Sequence, residues 1–253
     1  MAEFADSANK AAKSLSTTTT AYTDAALIFY QQGLKGQEVL DRTDITMKMS
    51  NVTGDSADEV SSYMTAIWNN FNKAGDESLE HYGDVLTALG AATASSTAEL
   101  AGGLEKFASV ADTIGLSYEY AASALSTIVA TTRQSEDVVG TALKTIFSRL
   151  QGLKQGETAE DGTDLNKYST GLKKVGIEIK DANGNLKDMD QILSEIGERW
   201  TQVGENALKQ DEKVALAQTV AGVRQYNQFM ALFDNWEFMK ENLNTAQMSD
   251  GEL

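Results

Sequence analysis

The sequence predicts an all-α protein: a multi-helix bundle or array carrying one small β-hairpin near residues 176–187. Three observations lead there. First, the 253 residues contain no proline, where usage of about 5% would supply roughly a dozen. Proline breaks helix interiors, so its absence suits closely connected helices, and twenty glycines remain as stops and kinks. Second, apolar residues recur at helical spacing behind polar starts of the Ser-x-x-Glu type. Third, residues 175–188 break that rhythm. Ile177 and Ile179 alternate with Glu178 and Lys180, which is strand spacing, and Asn183-Gly184 is a strong hairpin-turn signal.

The elements follow in order. Residues 1–20, ending in the run Thr17 to Thr20, predict a weakly amphipathic helix or a frayed segment. A helix over 21–34 carries Leu27, Ile28, Phe29 and Tyr30 and stops near Gly33 and Gly36. Another spans 37–51. Ser56 and Glu59 form a capping box that opens a helix with Val60, Tyr63, Met64, Ile67, Trp68 and Phe71 on one broad face, broken at Gly75-Asp76. Helices over 77–94, from Ser96 (boxed with Glu99) to Gly115, over 117–132 and over 135–153 follow. Glu136 and Asp137 suit the N-terminal dipole of the last of these. Residues 154–164 are polar and Gly-containing and predict an exposed loop. A short helix over 165–175 precedes the hairpin. Asp188, with Gln191 three residues on, opens a helix to 203, and helices over 211–221 and 223–246 complete the chain. No short-period repeat is present. The expected organisation is an N-terminal segment (1–36), a helical core (37–153), the loop (154–164) and a hairpin-containing helical part (165–248).

Composition limits the function classes. There is no cysteine, which excludes disulfides, thiolate nucleophiles and thiolate metal sites. The net charge is −16, divided as −8 over residues 1–100, −1 over 101–180 and −7 over 181–253. Such a chain repels nucleic acid and anionic membrane surfaces. No run of 18 apolar residues occurs, and the N-terminus lacks the apolar core of a signal peptide.

Candidate sites are few. His81 is the only histidine; with Glu80 and Asp84 nearby it could serve a metal or proton transfer, but the favoured reading is a solvated side chain. Asp181, Asn183 and Asn185 start like a calcium loop, yet Leu186 and Ile192 stand where glycine and the bidentate glutamate belong, so a turn is expected. Gly102-Gly103 lacks the Lys-Ser/Thr of a phosphate loop and reads as a close helix approach. Lys144, Arg149 and Lys154 form a locally basic patch, read as an internal charge partner. The stripes Met47, Met49, Met64, Trp68, Phe71 and Phe229, Met230, Phe233, Trp236 are either core or, for the last helix especially, partner surface. No triad or paired-carboxylate constellation is legible, so no enzyme activity and no cofactor or metal is expected.

Three blocks in fixed order carry a family resemblance. They are residues 113–150, which contain Gly140-Thr141-Ala142-Leu143; residues 172–196, which contain Gly176, Ile177, Asp181 and Gly184; and residues 216–235, which contain Gly222 and Arg224. Together they resemble the core region of phage tail tape measure proteins over roughly residues 37–240. The loop 154–164 departs from that pattern as an insertion. Members of the family are generally much longer, so a fragment is expected. A continuous helix of 253 residues would span about 380 Å at ~1.5 Å per residue; broken by turns, this chain corresponds to the globular part and not to an extended rod.

The resemblance implies a virion structural protein that scaffolds tail-tube assembly, sets tail length and is released at genome ejection. It implies tail tube protein, tail assembly chaperones and tail tip or baseplate proteins as partners, a possible homo-oligomer in the tail, and assembly in the bacterial host cytoplasm. No direct nucleic-acid binding is expected. The alternative readings are a secreted or membrane-active helical protein, such as a toxin or export substrate, and a cell-wall hydrolase, against which the lone histidine and absent cysteine argue.

Overall fold

The computed structural model describes residues 2–72, 75, 77–155 and 166–253. Among them the regular structure is helical: α1 (Ala2–Ser14), α2 (Thr19–Gln31), α3 (Gln37–Thr53), α4 (Ala57–Phe71), α5 (Leu79–Ala92), α6 (Thr97–Ile114), α7 (Tyr118–Thr132), α8 (Glu136–Leu150), α9 (Gly152–Gln155), α10 (Asn166–Lys174), α11 (Met189–Thr201), α12 (Gln210–Ala221), α13 (Tyr226–Asp234) and α14 (Trp236–Gln247). The all-α array expected from the sequence is the observed architecture.

Helix starts follow the capping chemistry in the sequence. Ser56 with Glu59 and Ser96 with Glu99 form complete capping boxes, each pairing two otherwise unbonded donors. Ser78, Ser117 and Ser135 cap α5, α7 and α8 through their hydroxyls. Gly54 and Gly115 end α3 and α6 in the left-handed conformation. The expected box at Asp188 does not form: Asp188 has N-cap geometry without a side-chain cap bond, and Gln191 turns instead to Glu195 at 3.1 Å.

α7 is the hub. Tyr118 and every residue from Tyr120 to Val129 are buried, and α7 contacts α5, α6, α8, α13 and α14. A helix buried on all sides is characteristic of the centre of a large core. Two of its polar residues are partnered inside: the Thr127 hydroxyl accepts from Asn242 at 2.9 Å, and Ser126 donates to Thr93 at 3.1 Å. Both aromatic stripes are core. Met49, Met64 and Trp68 are buried in one continuous cluster with Phe229, Phe233 and Trp236. A smaller cluster, Ala8, Ala12, Tyr22, Ala25 and Met47, packs α1 and α2 on α3. There the Tyr22 hydroxyl donates to Asp44 at 2.5 Å, and burial together with that carboxylate raises its pKa.

Two long helices expected from the sequence are broken. The segment 135–153 divides into α8 and α9, and the segment 223–246 divides at Asn235 into α13 and α14. Asn235 leaves the helical region (φ −110°, ψ 35°) and its side-chain amide donates to the Ala231 carbonyl at 2.7 Å. A short amide side chain offers the backbone a local alternative partner, which apolar periodicity does not reveal. The hairpin is present in abbreviated form. One antiparallel bridge joins Lys180 and Leu186, and the Lys187 N–H donates to Ile179 at 2.9 Å. Each arm is too short for a strand, and the turn is held instead by the Asp181 carboxylate, which accepts from the N–H groups of Asn183 and Asn185, both at 2.9 Å. Most of the predicted loop, residues 156–164, lies outside the described residues; Lys154 and Gln155 belong to α9.

Candidate functional site

The ten residues that carry the family resemblance fall into two groups: some sit in helix junctions and some on the surface. Gly140 lies in α8 where it crosses α6. A Cβ there would stand 2.6 Å from the Gly103 carbonyl oxygen and 3.2 Å from Lys106 Cβ. Gly103 is itself covered by Leu125 of α7, at 2.8 Å from a notional Cβ. Two glycines facing each other let the backbones of α6 and α8 approach, and this pair makes the most extensive helix contact in the fold. Ala142 and Leu143 are buried behind them, while Thr141 is exposed.

The second junction joins the first motif to the third. Gly222 ends α12 at φ 77°, ψ 167°, and a Cβ there would lie 2.7 Å from the guanidinium of Arg149, in the last turn of α8. Arg149 thus lies flat against the backbone at Gly222. Of the basic patch read from the sequence, this is the residue with a structural role visible here; Lys144 is exposed. Arg224 is exposed and is not drawn into the junction.

The hairpin motif is fastened from α11. Gly176 takes φ 84° after α10, and Ile177 is buried. Arg199 donates from Nε to the Val175 carbonyl at 2.7 Å and also reaches the Asn206 carbonyl, so one guanidinium ties together the chain before the hairpin and the loop after α11. Asp181 and Gly184 (φ 84°) shape the exposed turn. Accepting those backbone N–H groups lowers the Asp181 pKa, and the carboxylate is turned inward on its own loop, away from any calcium-type arrangement.

Sequence reasoning missed three features. Gly197 of α11 lets the Trp236 indole lie directly on the helix: a Cβ would sit 2.1 Å from the ring. Trp236 Nε1 donates to Glu198 at 3.0 Å, and Trp200 Nε1 donates to Asp234 at 2.7 Å. A glycine inside a helical pattern was the available signal. Arg199 gave none, because the Val175 carbonyl it holds is 24 residues away; Arg149 stood out as part of a basic patch, but its place against Gly222 did not.

The third missed feature corrects the reading of His81. It is buried, not solvated. Nε2 meets Glu119 of α7 at 2.9 Å and Nδ1 meets Asp250 at 3.2 Å. The hydrogen bond to Glu119 is the largest cause that raises its pKa, to about 9, against the opposing effect of burial. Glu119 is lowered in turn by the same bond. At neutral pH the imidazole is therefore charged and held by two carboxylates, which disqualifies it as a general base. Glu80 pairs with Lys48 instead. Among the described residues no group of three or more histidines and carboxylates is placed to hold a metal ion, and no helix is long and apolar enough to cross a membrane. What the arrangement does chemically is lock helices together.

The junctions at Gly140 and Gly222 are those of a closely packed all-α protein. A family model described as "phage-related minor tail protein" matches residues 6–222. The chain belongs to that family, and it is a phage tail structural protein, a component of the virion tail. No solved structure matches it.

Proposed function

We propose that this chain is the globular helical core of a tape measure protein, the tail component that scaffolds tube assembly, sets tail length and leaves at genome ejection. The observation that carries the reading is the match of the tail-protein family across residues 6–222. Alongside it, the three motif blocks that resemble tape measure cores occur in the expected order. The two buried glycines Gly140 and Gly222 give two of those blocks a physical reason: a Cβ at Gly140 would meet the Gly103 carbonyl, and Gly222 holds a φ of 77° that side chains rarely adopt. In this reading residues 1–36 are an N-terminal helical segment, 37–153 the helical core and 165–248 the hairpin-bearing part. The partners are tail tube subunits, tail assembly chaperones and tip or baseplate proteins, met during assembly in the host cytoplasm.

No catalytic role is proposed. The lone histidine is engaged as a cation by Glu119 and Asp250, and its imidazole pairs with no serine or threonine hydroxyl among the described residues. The net charge of −16 suits a tail interior through which DNA passes without adhering. Tight duplex-DNA binding at physiological salt would contradict that statement. The main test is electron microscopy of particles whose gene lacks the codons for residues 37–240. Absent tails, or tails of altered length, support the scaffold and length-setting role. Normal infectious tails would overturn it and leave a membrane-active role to be tested by liposome leakage at low pH.

A further inference from the structure

The residues after α14 fold back over α5. Met248 points to solvent, Ser249 is buried with its hydroxyl donating to Ala246 at 2.8 Å, and Gly251 turns the chain at φ 89°. Three neighbouring residues of α5 then grip this segment. The buried Asp84 carboxylate accepts two backbone N–H groups, from Gly251 at 3.1 Å on Oδ2 and from Leu253 at 2.7 Å on Oδ1. Leu253 rests its side chain on Gly83, where a Cβ would come within 2.6 Å of its Cδ2 and 3.2 Å of the Met49 sulfur. Asp250 reaches His81 from the solvent side. One carboxylate binding alternate peptide N–H groups, a notch for an apolar side chain and a cation for an acid make a peptide-holding surface, filled here by the chain's own residues.

We propose that residues 249–253 are a detachable strap, gripped by α5 through His81, Gly83 and Asp84 and released when His81 loses its charge. The chemistry of the imidazole sets this behaviour. Charged, it offers an N–H to each of Glu119 and Asp250. Neutral, it offers one N–H and one lone pair, so one carboxylate must face a lone pair. Glu119 holds the shorter bond from within α7, whereas the Asp250 side chain is 91% exposed and is the one free to leave. Repulsion then favours departure: Glu77, Glu80 and Asp84 flank His81 on the α5 side and Glu119 on the α7 side, with Lys48 of α3 engaged by Glu80. Tyr82, whose pKa burial raises to about 12, and Tyr118, which burial raises further, stay neutral while His81 titrates.

The chain has no cysteine, so Glu252→Cys provides a single site for a nitroxide on the exposed side of the strap. Electron paramagnetic resonance of the full chain reads strap mobility directly. The expected result is an immobilised spectrum at pH 7 that converts to a mobile one with a midpoint near pH 9. Added His81→Gln, which cannot be charged, gives a mobile component at pH 7 that changes little up to pH 10. Added Asp84→Asn gives a mobile strap throughout, with helix content by far-UV circular dichroism confirming that α5 is folded. A mobile label at pH 7 in the parent, or the same titration in parent and His81→Gln, overturns the proposal. The histidine resonance of the parent supplies a second reading: its titration and the release of the label must coincide.

Discussion

Replacing Gly140 by alanine isolates the α6–α8 junction. The added methyl would lie 2.6 Å from the Gly103 carbonyl oxygen, a backbone atom that cannot rotate aside, and 3.2 Å from Lys106 Cβ. Restoring a contact of about 3.4 Å requires α8 to withdraw by roughly 0.8 Å. A gap of that size forfeits about a quarter to a half of the dispersion attraction across the contact. Overpacking of this kind costs about 1–3 kcal/mol. Against it stands the better helix propensity of alanine, about 1 kcal/mol. The net expectation for Gly140→Ala is a loss centred on about 1 kcal/mol and reaching about 2 kcal/mol, a fall in Tm of roughly 3 °C at this chain length. Gly102 is the control. It lies next to Gly103 on α6, but a Cβ there meets nothing nearer than Glu136 Cγ at 3.9 Å. Gly102→Ala should therefore gain about 0.5–1 kcal/mol from propensity alone. Thermal and urea melts followed by circular dichroism at 222 nm measure both. Equal or greater stability of Gly140→Ala, or destabilisation by Gly102→Ala, would refute the close-approach argument.

Three further outcomes follow from the same geometry. Gly222→Ala must hold alanine in a region of φ and ψ reserved for glycine while displacing Arg149, at about 2–3 kcal/mol; adding Arg149→Ala should recover only part, because the strain remains, and a double-mutant cycle on urea midpoints reads the difference. Gly197→Ala drives a methyl into the Trp236 ring and should cost about 3 kcal/mol or more, with loss of near-UV tryptophan dichroism. For His81 the folded-state pKa is raised, to about 9 from 6.5, so its stabilisation is fully present below pH 6.5 and is lost as pH rises through 9. His81→Gln should lower the urea midpoint at pH 7 and flatten its decline between pH 7 and 10.

Much of the fold was legible because it rests on local chemistry. Ser56 with Glu59 and Ser96 with Glu99 announce helix starts that the backbone obeys. Gly115 announces a stop, and the apolar spacing from Val60 to Trp68 announces a buried face. Asn183-Gly184 marked the turn, although the arms proved too short for strands. The failures share a cause. Asn235 breaks a helix through a bond to Ala231, and Asp188 caps without its side chain; both depend on side-chain choices that periodicity does not record. His81 was misread because its partners, Glu119 and Asp250, are 38 and 169 residues away. The ten motif residues were found as a pattern, but their division into packed glycines (Gly140, Gly222) and surface residues (Thr141, Arg224) needed the tertiary arrangement.

Mass spectrometry of purified virion tails tests the central claim most directly. If the chain is the core of a tail structural protein, peptides from residues 37–153 and 165–248 are recovered from tails at one fixed ratio to the tail tube protein. That ratio stays the same from preparation to preparation, and under the proposed tape measure role the peptides vanish from tails whose genome has been ejected. Tails that lack these peptides while assembled at normal length, or a variable ratio like that of an adhering contaminant, would contradict it.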